Sequence, residues 1–330
     1  MRCTRARLTP IIFSILLSYV IFAPGYVYAD ELTVSTNQPS YGLGATVNLD
    51  GKLTLRDVPV TNGLVAIQVD DSEGALKLLR VMPVGTIPSP WKAQLLQLIA
   101  CDSHGNPKTS FSRGNFAYFK ATVKSLVVYD IQMMITFNLF DSIGRSISAS
   151  FYGRTLRPGE QFSYIESIQI PDNFYGDTAR CFVNVLTGTI QPSLPKFGGQ
   201  PCCSESSVAL TITGSMSGAS SSDSASVASS LGSYGLSFKL PDKAIIGSYN
   251  IYASARWNAW AMTAFDYYWL LTDINRDSKV NILDVTVVAK GFGSRIGDPQ
   301  YNHLADINND TLLNILDIAA VARDFGAKRV

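Results

Sequence analysis

The sequence predicts a mostly β protein that ends in a small all-α unit. Valine, isoleucine, threonine, tyrosine and phenylalanine are frequent, and they alternate with polar residues in short runs bounded by turn residues, as in β-strands. Apolar residues at helical spacing are almost absent before residue 282, and beyond it they form two short runs. Roughly 300 residues after an N-terminal leader are enough for two or three domains.

The N-terminus has the features of a secretory signal peptide. Three arginines among the first seven residues precede an apolar run at 11–23, and Val27-Tyr28-Ala29 ends in the small residue that signal peptidases prefer. An uncleaved anchor is the alternative, but the run is shorter than the ~20 residues that span a bilayer. We therefore expect a signal peptide over 1–29, no transmembrane anchor, and a secreted protein that is extracellular or associated with the cell surface.

Strand-like runs at the two ends of the β region together make one sandwich. The first four runs form only half of a sandwich and could not bury a sufficient core, and three more occur far along the chain. They lie at 32–36, 45–55, 63–70 and 75–82, and at 234–241, 247–253 and 260–271. The pattern Pro39-x-Tyr41-x-x-Gly44-x-x-Val47, followed later by Gly247-x-Tyr249, resembles immunoglobulin-like or macroglobulin-like repeats. We predict a discontinuous sandwich formed by 30–90 and 231–272.

The residues between these halves predict a second sandwich inserted into the first. Residues 91–214 have their own complete set of alternating runs and turns, typical of an immunoglobulin-like β-sandwich. The runs lie near 93–101, 115–124, 130–141, 146–151, 161–170, 178–187 and 207–213. A tract rich in Ser, Ala and Gly at 215–230 follows, and this composition predicts a flexible linker. We expect the two flanking halves to fold without the insertion.

Four cysteines remain after loss of the leader, and an even number in a secreted chain suggests disulfides. They are Cys101, Cys181, Cys202 and Cys203. A bond between the neighbours Cys202 and Cys203 would be strained, so we expect each of them to pair with a distant cysteine. All three pairings stay open. A zinc site is the less favoured alternative, because no histidine lies near the cysteines in sequence.

Charge and histidine content argue against two classes of function. The formal net charge is +1, and loss of the leader, which has three arginines and no acidic residue, changes it to −2. Because a nucleic-acid-binding domain needs a surplus of basic residues, we expect no nucleic-acid partner.

His104 and His303 lie in turn-like sequences without a nucleophile nearby, so we predict that the protein is not an enzyme. A pair of facing carboxylates, as in glycosidases, stays open.

The C-terminal unit is an internal duplication. Asp-Ile-Asn-Arg-Asp-Ser-Lys-Val-Asn-Ile-Leu-Asp at 273–284 recurs as Asp-Ile-Asn-Asn-Asp-Thr-Leu-Leu-Asn-Ile-Leu-Asp at 306–317, and 12 of the 21 positions up to Gly293 and Gly326 are identical. In each copy apolar residues at i, i+3, i+4 and i+7 predict a short helix with one buried face, which the glycine ends. They are Val285, Val288, Ala289 and Phe292, and Ile318, Val321, Ala322 and Phe325. Helices this short are marginal alone, so the two copies must pack on each other.

Each copy has oxygen-bearing side chains at loop positions 1, 3, 5, 9 and 12, which is the pattern of a calcium loop. Calcium takes six to eight oxygen ligands, and position 7 contributes its backbone carbonyl. The first site is predicted from Asp273, Asn275, Asp277, the carbonyl of Lys279, Asn281 and Asp284. The second is predicted from Asp306, Asn308, Asp310, the carbonyl of Leu312, Asn314 and Asp317. The sequence therefore predicts two calcium ions.

Two such loop-helix units without the leading helix of an EF-hand resemble a dockerin domain of type I, here over residues 273–330. Asp at position 12 fits that family, whereas Ser278 and Thr311 stand at position 6, where glycine is usual. The resemblance implies docking to a cohesin-like module, and in the family loop positions 10 and 11 lie at that surface. In this chain the pairs Ile282-Leu283 and Ile315-Leu316 occupy these positions, and we expect them to bind the partner.

An aromatic cluster precedes the C-terminal unit and bears on a second function. It comprises Trp257, Trp260, Phe265, Tyr267, Tyr268 and Trp269. We favour a buried last strand of the sandwich that includes Trp260 and Met262. The main prediction is a secreted non-catalytic adaptor or cell-surface component that docks to a cohesin-like partner. The alternative is a carbohydrate-binding accessory protein of an extracellular polysaccharide-degrading complex, in which exposed Trp257 and Trp260 would stack on glycan.

Overall fold

A computed structural model shows a chain built mostly of strands, with two short helices near the C-terminus. It describes residues 31–42, 44–188, 199–214, 227–241, 244–256, 259–268, 270–275, 277, 279–308 and 310–328. The predicted fold class, mostly β with a small helical unit at the end, is confirmed. The predicted signal peptide at 1–29 lies outside the described residues.

Two sheets combine strands from both ends of the β region. The strands are β1 (Glu31–Leu32), β2 (Ser35–Thr36), β3 (Ser40–Gly42), β4 (Thr46–Leu55), β5 (Val58–Pro59), β6 (Asn62–Asp70) and β7 (Leu76–Gly85), then β16 (Val227–Ser230), β17 (Ser233–Lys239), β18 (Gly247–Ala255) and β19 (Trp260–Tyr268). One sheet has the order β1-β4-β17-β16, with β2 and β5 also on β4, and the other has the order β3-β19-β18-β6-β7. Alternating apolar side chains such as Val47, Ile67 and Phe238 fill the space between them.

Strand β16 corrects the predicted linker. Residues 227–230 were expected to belong to the flexible tract at 215–230, but they pair with β17, with Val227 opposite Leu236 and Ser230 opposite Ser233. A strand at the edge of a sheet needs partners on one side only, so a short serine-rich segment is sufficient there. Residues 215–226 lie outside the described residues.

The intervening residues form two further sheets. Their strands are β8 (Ala93–Cys101), β9 (Ser110–Ser112), β10 (Phe116–Ser125), β11 (Ile131–Asp141), β12 (Ser146–Leu156), β13 (Gln161–Gln169), β14 (Thr178–Thr187) and β15 (Ser206–Thr213). The orders are β13-β10-β8 and β12-β11-β14-β15-β9, with β9 parallel to β15. Phe119, Phe137 and Val183 are fully buried between them. The short strand β9 has no alternating run long enough for the sequence to predict it.

Strand β7 lies at the edge of its sheet, and side chains from the intervening sheets satisfy its backbone. The N–H of Leu79 donates to Oδ1 of Asn138 at 2.9 Å, and Nδ2 of Asn184 donates to the Leu79 carbonyl at 3.1 Å. The Ser146 hydroxyl donates to the Lys77 carbonyl at 2.5 Å. Leu64, Ala66, Leu79 and Val81 form a buried apolar cluster with Met134 and Leu186. The intervening sheets therefore complete the first sandwich instead of standing apart from it.

A buried ion pair crosses the same boundary. Arg80 on β7 is 1% exposed, and its Nε and Nη2 donate to both carboxylate oxygens of Glu205 at 2.7–2.9 Å. The guanidinium carbon lies 3.5 Å from the centre of the Phe182 ring and 5.3 Å from that of Phe140. A bidentate, stacked arginine of this kind fixes two segments in one relative position.

The four cysteines correct the disulfide prediction. Cys101, Cys181, Cys202 and Cys203 are free and buried in the structure. Cys101 and Cys181 lie on strands of different sheets, and Cys181, Cys202 and Cys203 pack among the apolar side chains of the intervening sandwich. Burial raises the pKa of all four thiols. They therefore stay protonated and act as small apolar side chains.

The C-terminal unit is held together by reciprocal pairing of its two copies. Its helices are α1 (Ile282–Lys290) and α2 (Ile315–Arg323). The backbone of Val280, before α1, pairs with Gly326 and Ala327 after α2, and Leu313, before α2, pairs with Gly293 and Ser294 after α1, all at 2.8–3.0 Å. Val280, Val288, Leu313 and Val321 are fully buried between the copies. Within the described residues, no helix is both long and apolar enough to cross a membrane.

Candidate metal centre and docking surface

The second loop directs its predicted ligands toward one centre. Oδ2 of Asp310, at position 5, accepts hydrogen bonds from Nδ2 of Asn308 and from Nδ2 of Asn314, each at 3.0 Å. Nδ2 of Asn314 also lies 3.1 Å from the carbonyl oxygen of Leu312, at position 7. Positions 3, 5, 7 and 9 therefore face each other across a small space.

The first loop repeats this arrangement with slightly longer distances. Oδ2 of Asp277 accepts from Nδ2 of Asn275 and from Nδ2 of Asn281, each at 3.3 Å. The backbone N–H of Asp277 donates to Oδ1 of Asp273 at 3.2 Å, so position 1 lies beside position 5. The same side chains converge in both copies because the loops have the same length and the same polar residues at alternate positions.

The aspartate at position 12 joins the start of each loop to its helix. Asp284 is fully buried, and its two oxygens accept the N–H of Asn275 at 3.0 Å and the N–H of Asn281 at 2.8 Å. Asp317 accepts the corresponding N–H groups of Asn308 at 3.4 Å and Asn314 at 2.9 Å, and also the N–H of Ile307 at 2.8 Å. The spacing of the loop predicts these residues only as metal ligands. The capping box, in which an N-cap asparagine is followed three residues later by an acid, was a visible signal for this second role.

The asparagine at position 9 differs from its predicted role. Oδ1 of Asn281 accepts the N–H of Leu283 at 2.8 Å, and Oδ1 of Asn314 accepts the N–H of Leu316 at 2.7 Å, so both cap helices. Their amide nitrogens, not their oxygens, face the loop centre. An N–H cannot ligate a cation, but position 9 of such loops often binds through a water molecule, which this orientation allows.

The remaining oxygen donors fit calcium. Each loop combines carboxylates with a backbone carbonyl, which are the hard oxygen donors that calcium prefers, whereas Nδ2 of the position 3 asparagine also faces the position 5 carboxylate. Among the described residues, no group of three or more His, Cys, Asp or Glu side chains could hold a metal by itself.

Position 6 of the second loop, where glycine is usual, has a strained backbone. Thr311 has φ of +69°, in the left-handed region, and its N–H donates to Oδ2 of Asp306 at 2.8 Å. This conformation costs a non-glycine residue roughly 1–2 kcal/mol. The hydrogen bond to Asp306 requires this turn, so the loop keeps the conformation despite the strain. Ser278, the matching residue of the first loop, lies outside the described residues.

The electrostatics of the second loop reflect its grouped carboxylates. Burial acts to raise the pKa of Asp310, but hydrogen bonds, first of all from Asn308, hold it below its usual value. Burial and then the neighbouring carboxylates of Asp306, Asp317 and Asp310 raise the pKa of Tyr301. Several negative charges therefore act on one small region, which a bound cation would neutralise.

The predicted partner residues are exposed at the N-terminal ends of the two helices. Ile282 and Leu283 are 62% and 54% exposed, and Ile315 and Leu316 are 62% and 57% exposed. No other part of the described chain covers either pair. The duplication therefore presents the same apolar pair twice on the surface.

The predicted buried helix face is correct only in part. Val288 and Val321 are fully buried, but Ala289 and Ala322 are exposed, and Phe292 and Phe325 are each 55% exposed. The helices end at Lys290 and Arg323, before the phenylalanines, so the helical spacing that placed them on the buried face does not continue that far.

The aromatic cluster divides between the two faces of strand β19. Phe265 and Tyr267 are buried in the sandwich core, as predicted, whereas Trp260 is 73% and Met262 57% exposed. The prediction of a buried Trp260 and Met262 is wrong because side chains alternate along a strand, and Trp260, Met262 and Ala264 share the face of β19 that turns away from the core. Trp257, Trp269 and the side chain of Tyr268 lie outside the described residues.

Comparison with known proteins agrees with the C-terminal assignment. The family model of the dockerin type I domain matches residues 271–326, which confirms the resemblance seen in the duplicated loops. Dockerin domains in general bind calcium and dock to cohesin partners. No curated protein matches the chain.

Solved structures are similar only to part of the chain. The C-terminal domain of wzt is 13% identical over 39% of this chain and 79% of that chain, with a TM-score of 0.32. A β-glucosidase from Listeria innocua in complex with glucose is 13% identical over 37% of this chain and 16% of that chain, with a TM-score of 0.25. The CARDB domain of a Pyrococcus furiosus protein in complex with di-metal ions is 8% identical over 39% and 95%, with a TM-score of 0.25. Similarity at this level shows no shared function.

Proposed function

We propose that the chain is a secreted, non-catalytic adaptor or cell-surface component that docks to a cohesin-like module through its calcium-dependent C-terminal domain. The observation that carries this proposal is the duplicated apolar pair, Ile282-Leu283 and Ile315-Leu316, exposed in both copies. An apolar side chain of this size contributes roughly 1.5–3 kcal/mol when it is fully buried. Two identical exposed pairs therefore favour a partner that covers them from outside the chain.

The calcium loops would hold these pairs in place. One ion in each loop would be bound by positions 1, 5 and 12, by the position 7 carbonyl and, once its amide turns over, by position 3. The ion would supply the positive charge that opposes repulsion between the carboxylates. Positions 10 and 11 follow directly after the helix cap at position 9, so an ordered loop fixes the start of the helix and the direction of both apolar side chains.

A non-catalytic role is part of the proposal. His104 and His303 both lie in exposed turns, and Nδ1 of His104 shares a 3.3 Å hydrogen bond with Oγ of Ser103 in the same turn. A general base needs a substrate-binding cleft and a partner that orients it. Neither histidine has that setting among the described residues.

Calcium dependence of docking tests the proposal. The full chain should bind an immobilised cohesin module in calcium and lose binding in excess chelator, because each apolar pair depends on its ordered loop. Magnesium is the matched control, since it requires a tighter octahedral site and should not replace calcium. Equal binding in calcium and in chelator would contradict the calcium role, and no binding to cohesin modules in calcium would contradict the docking role.

The second candidate function, a carbohydrate-binding accessory protein, is favoured by one observation. Trp260 is 73% exposed on the outer face of a sheet, where a flat aromatic ring can stack on a sugar ring. If this face binds glycan, Trp260→Ala should weaken retention on a polysaccharide roughly 3- to 10-fold, as loss of about 0.5–1.5 kcal/mol of aromatic contact implies. Phe116→Ala, at an aromatic residue that is 49% exposed on β10, is the control. Unchanged retention of the Trp260 variant would remove this candidate.

A further inference from the structure

A tyrosine in the segment between the two copies contacts the candidate metal centre. The hydroxyl of Tyr301 donates to Oδ2 of Asp306, at position 1 of the second loop, over 2.6 Å. We propose that Tyr301 is a positioning residue that fixes the Asp306 carboxylate for calcium and so sets the affinity of the second loop. This inference rests on the proposed calcium site.

The Asp306 carboxylate is held by three donors, and Tyr301 supplies the one side-chain donor among them. Asp306 is 4% exposed. Its Oδ1 accepts the N–H of Asp310 at 3.1 Å, and its Oδ2 accepts the N–H of Thr311 at 2.8 Å in addition to the tyrosine hydroxyl. The two backbone donors move with the loop itself. Only the tyrosine ties this ligand to a part of the chain outside the loop.

Tyr301 is itself fixed in place, as a positioning residue must be. Its ring packs partly buried against the apolar core of the helical unit, and its N–H donates to the carbonyl of Asp298 at 3.0 Å. Oδ2 of Asp298 in turn accepts the N–H of Arg295 at 2.8 Å, and Arg295 forms a β-bridge with Leu312 of the loop. The Tyr301 hydroxyl therefore comes from a turn that is itself bonded to the second calcium loop.

The second loop needs such support more than an ordinary calcium loop. Thr311 holds a left-handed φ of +69° without the glycine that would adopt it freely. The Thr311 N–H and the Tyr301 hydroxyl both donate to Oδ2 of Asp306. The tyrosine therefore holds the oxygen to which the strained Thr311 backbone is hydrogen-bonded. The sequence also has a tyrosine five residues before position 1 in the first copy, Tyr268 before Asp273. The duplicated unit thus includes the tyrosine as well as the loop.

The alternative is a tyrosine that only stabilises the fold. Removal of the hydroxyl would then lower the stability of the protein with and without metal. Calcium affinity would change only in proportion to that loss of stability. A positioning residue predicts the opposite: calcium affinity falls while the metal-free protein is unchanged. Groups that orient metal ligands typically change affinity by 10- to 100-fold when they are removed.

The test compares Tyr301→Phe with the unaltered full chain by calorimetric titration of calcium and by thermal melting in chelator. We expect one of the two sites to weaken by about 10-fold or more, the other to keep its affinity, and the melting temperature in chelator to stay the same. Tyr129→Phe is the matched control, because this tyrosine is 53% exposed on the inserted sandwich. Repeating the titration in an Asp277→Ala background, which removes the exposed position 5 carboxylate of the first loop, assigns the weakened site.

The outcomes separate this inference from the proposed function. If the unaltered chain binds no calcium, the calcium proposal itself fails. If the unaltered chain binds two ions and Tyr301→Phe has the same two affinities, only the positioning role is overturned. A lower melting temperature in chelator with unchanged calcium affinity also overturns it and leaves a purely structural tyrosine.

Discussion

Replacing Arg80 with alanine is expected to lower the free energy of unfolding by about 3–5 kcal/mol, the usual effect of breaking a buried ion pair. Glu205 would keep its charge in a site where its side chain is only 12% exposed, without the two guanidinium donors at 2.7–2.9 Å. The cavity left beside Phe182 and Phe140 adds to the loss. In a thermal melt we expect the midpoint to fall by roughly 10 °C.

Two variants make this prediction specific. Arg154→Ala breaks an ion pair with Glu160 whose side chains are 39% and 25% exposed, and it should change the free energy of unfolding by less than about 1 kcal/mol. The double variant Arg80→Met, Glu205→Leu removes both charges and should recover most of the stability. If Arg80→Ala destabilises the protein no more than Arg154→Ala does, the buried pair does not hold the two sandwiches together.

The same boundary revises the expectation that the flanking halves fold without the insertion. Leu64, Ala66, Leu79 and Val81 are at most 4% exposed, and their apolar cluster is completed by Met134 and Leu186 from the intervening strands. Removal of the insertion would expose this face and leave the edge of β7 without hydrogen-bond partners. The inserted sandwich is thus a structural part of the first one.

Replacing both apolar pairs with serine is expected to abolish docking, whereas replacing one pair should leave affinity within about 2-fold, because the second pair offers the same surface. The four residues, Ile282, Leu283, Ile315 and Leu316, are 54–62% exposed, so the substitutions remove contacts with the partner without opening the core. Calorimetry with one cohesin module, at saturating calcium, measures the affinity of the single-pair and double-pair variants.

This prediction has a matched control and a result that would contradict it. Ile296→Ser changes an isoleucine that is 68% exposed in the segment between the copies, outside both pairs, and it should leave docking unchanged. If one single-pair variant abolishes docking and the other does not, the partner uses one face only. The duplication would then serve the fold of the domain and not two equivalent docking surfaces.

The sequence predicted most strands because each leaves a local signal. Alternation of apolar and polar residues marks strands such as β10 and β13, and the structure has them within one residue of the predicted bounds. Strand β16 gave no such signal, because Val227-Ala228-Ser229-Ser230 has no alternation of apolar and polar residues and pairs with the distant β17. The pairing of β16 with β17 stabilises this strand, and the composition of a segment does not show which distant segment it pairs with.

The candidate site was predicted to a similar extent, for a similar reason. Loop spacing was sufficient to predict which side chains converge, because a short polar turn leaves few arrangements for alternate residues. It could not show that Asn281 and Asn314 give their oxygens to helix caps, since capping and metal binding use the same residue types. It also could not show the contact from Tyr301, which comes from outside the loop. The prediction that Trp260 is buried was wrong because it followed from the aromatic composition of the segment and not from the alternation of side chains along β19.

The connection between the sandwich and the C-terminal domain has a mechanical consequence. β19 ends at Tyr268 and the first loop begins at Asp273, and a stretch this short spans at most ~17 Å when fully extended. β19 is an interior strand, paired with β18 along its length and with β3 at its C-terminal end. Tension from a docked partner would therefore act directly on the hydrogen bonds of an interior strand. Near the C-terminal end of β19, its neighbours β18 and β3 would both resist that force.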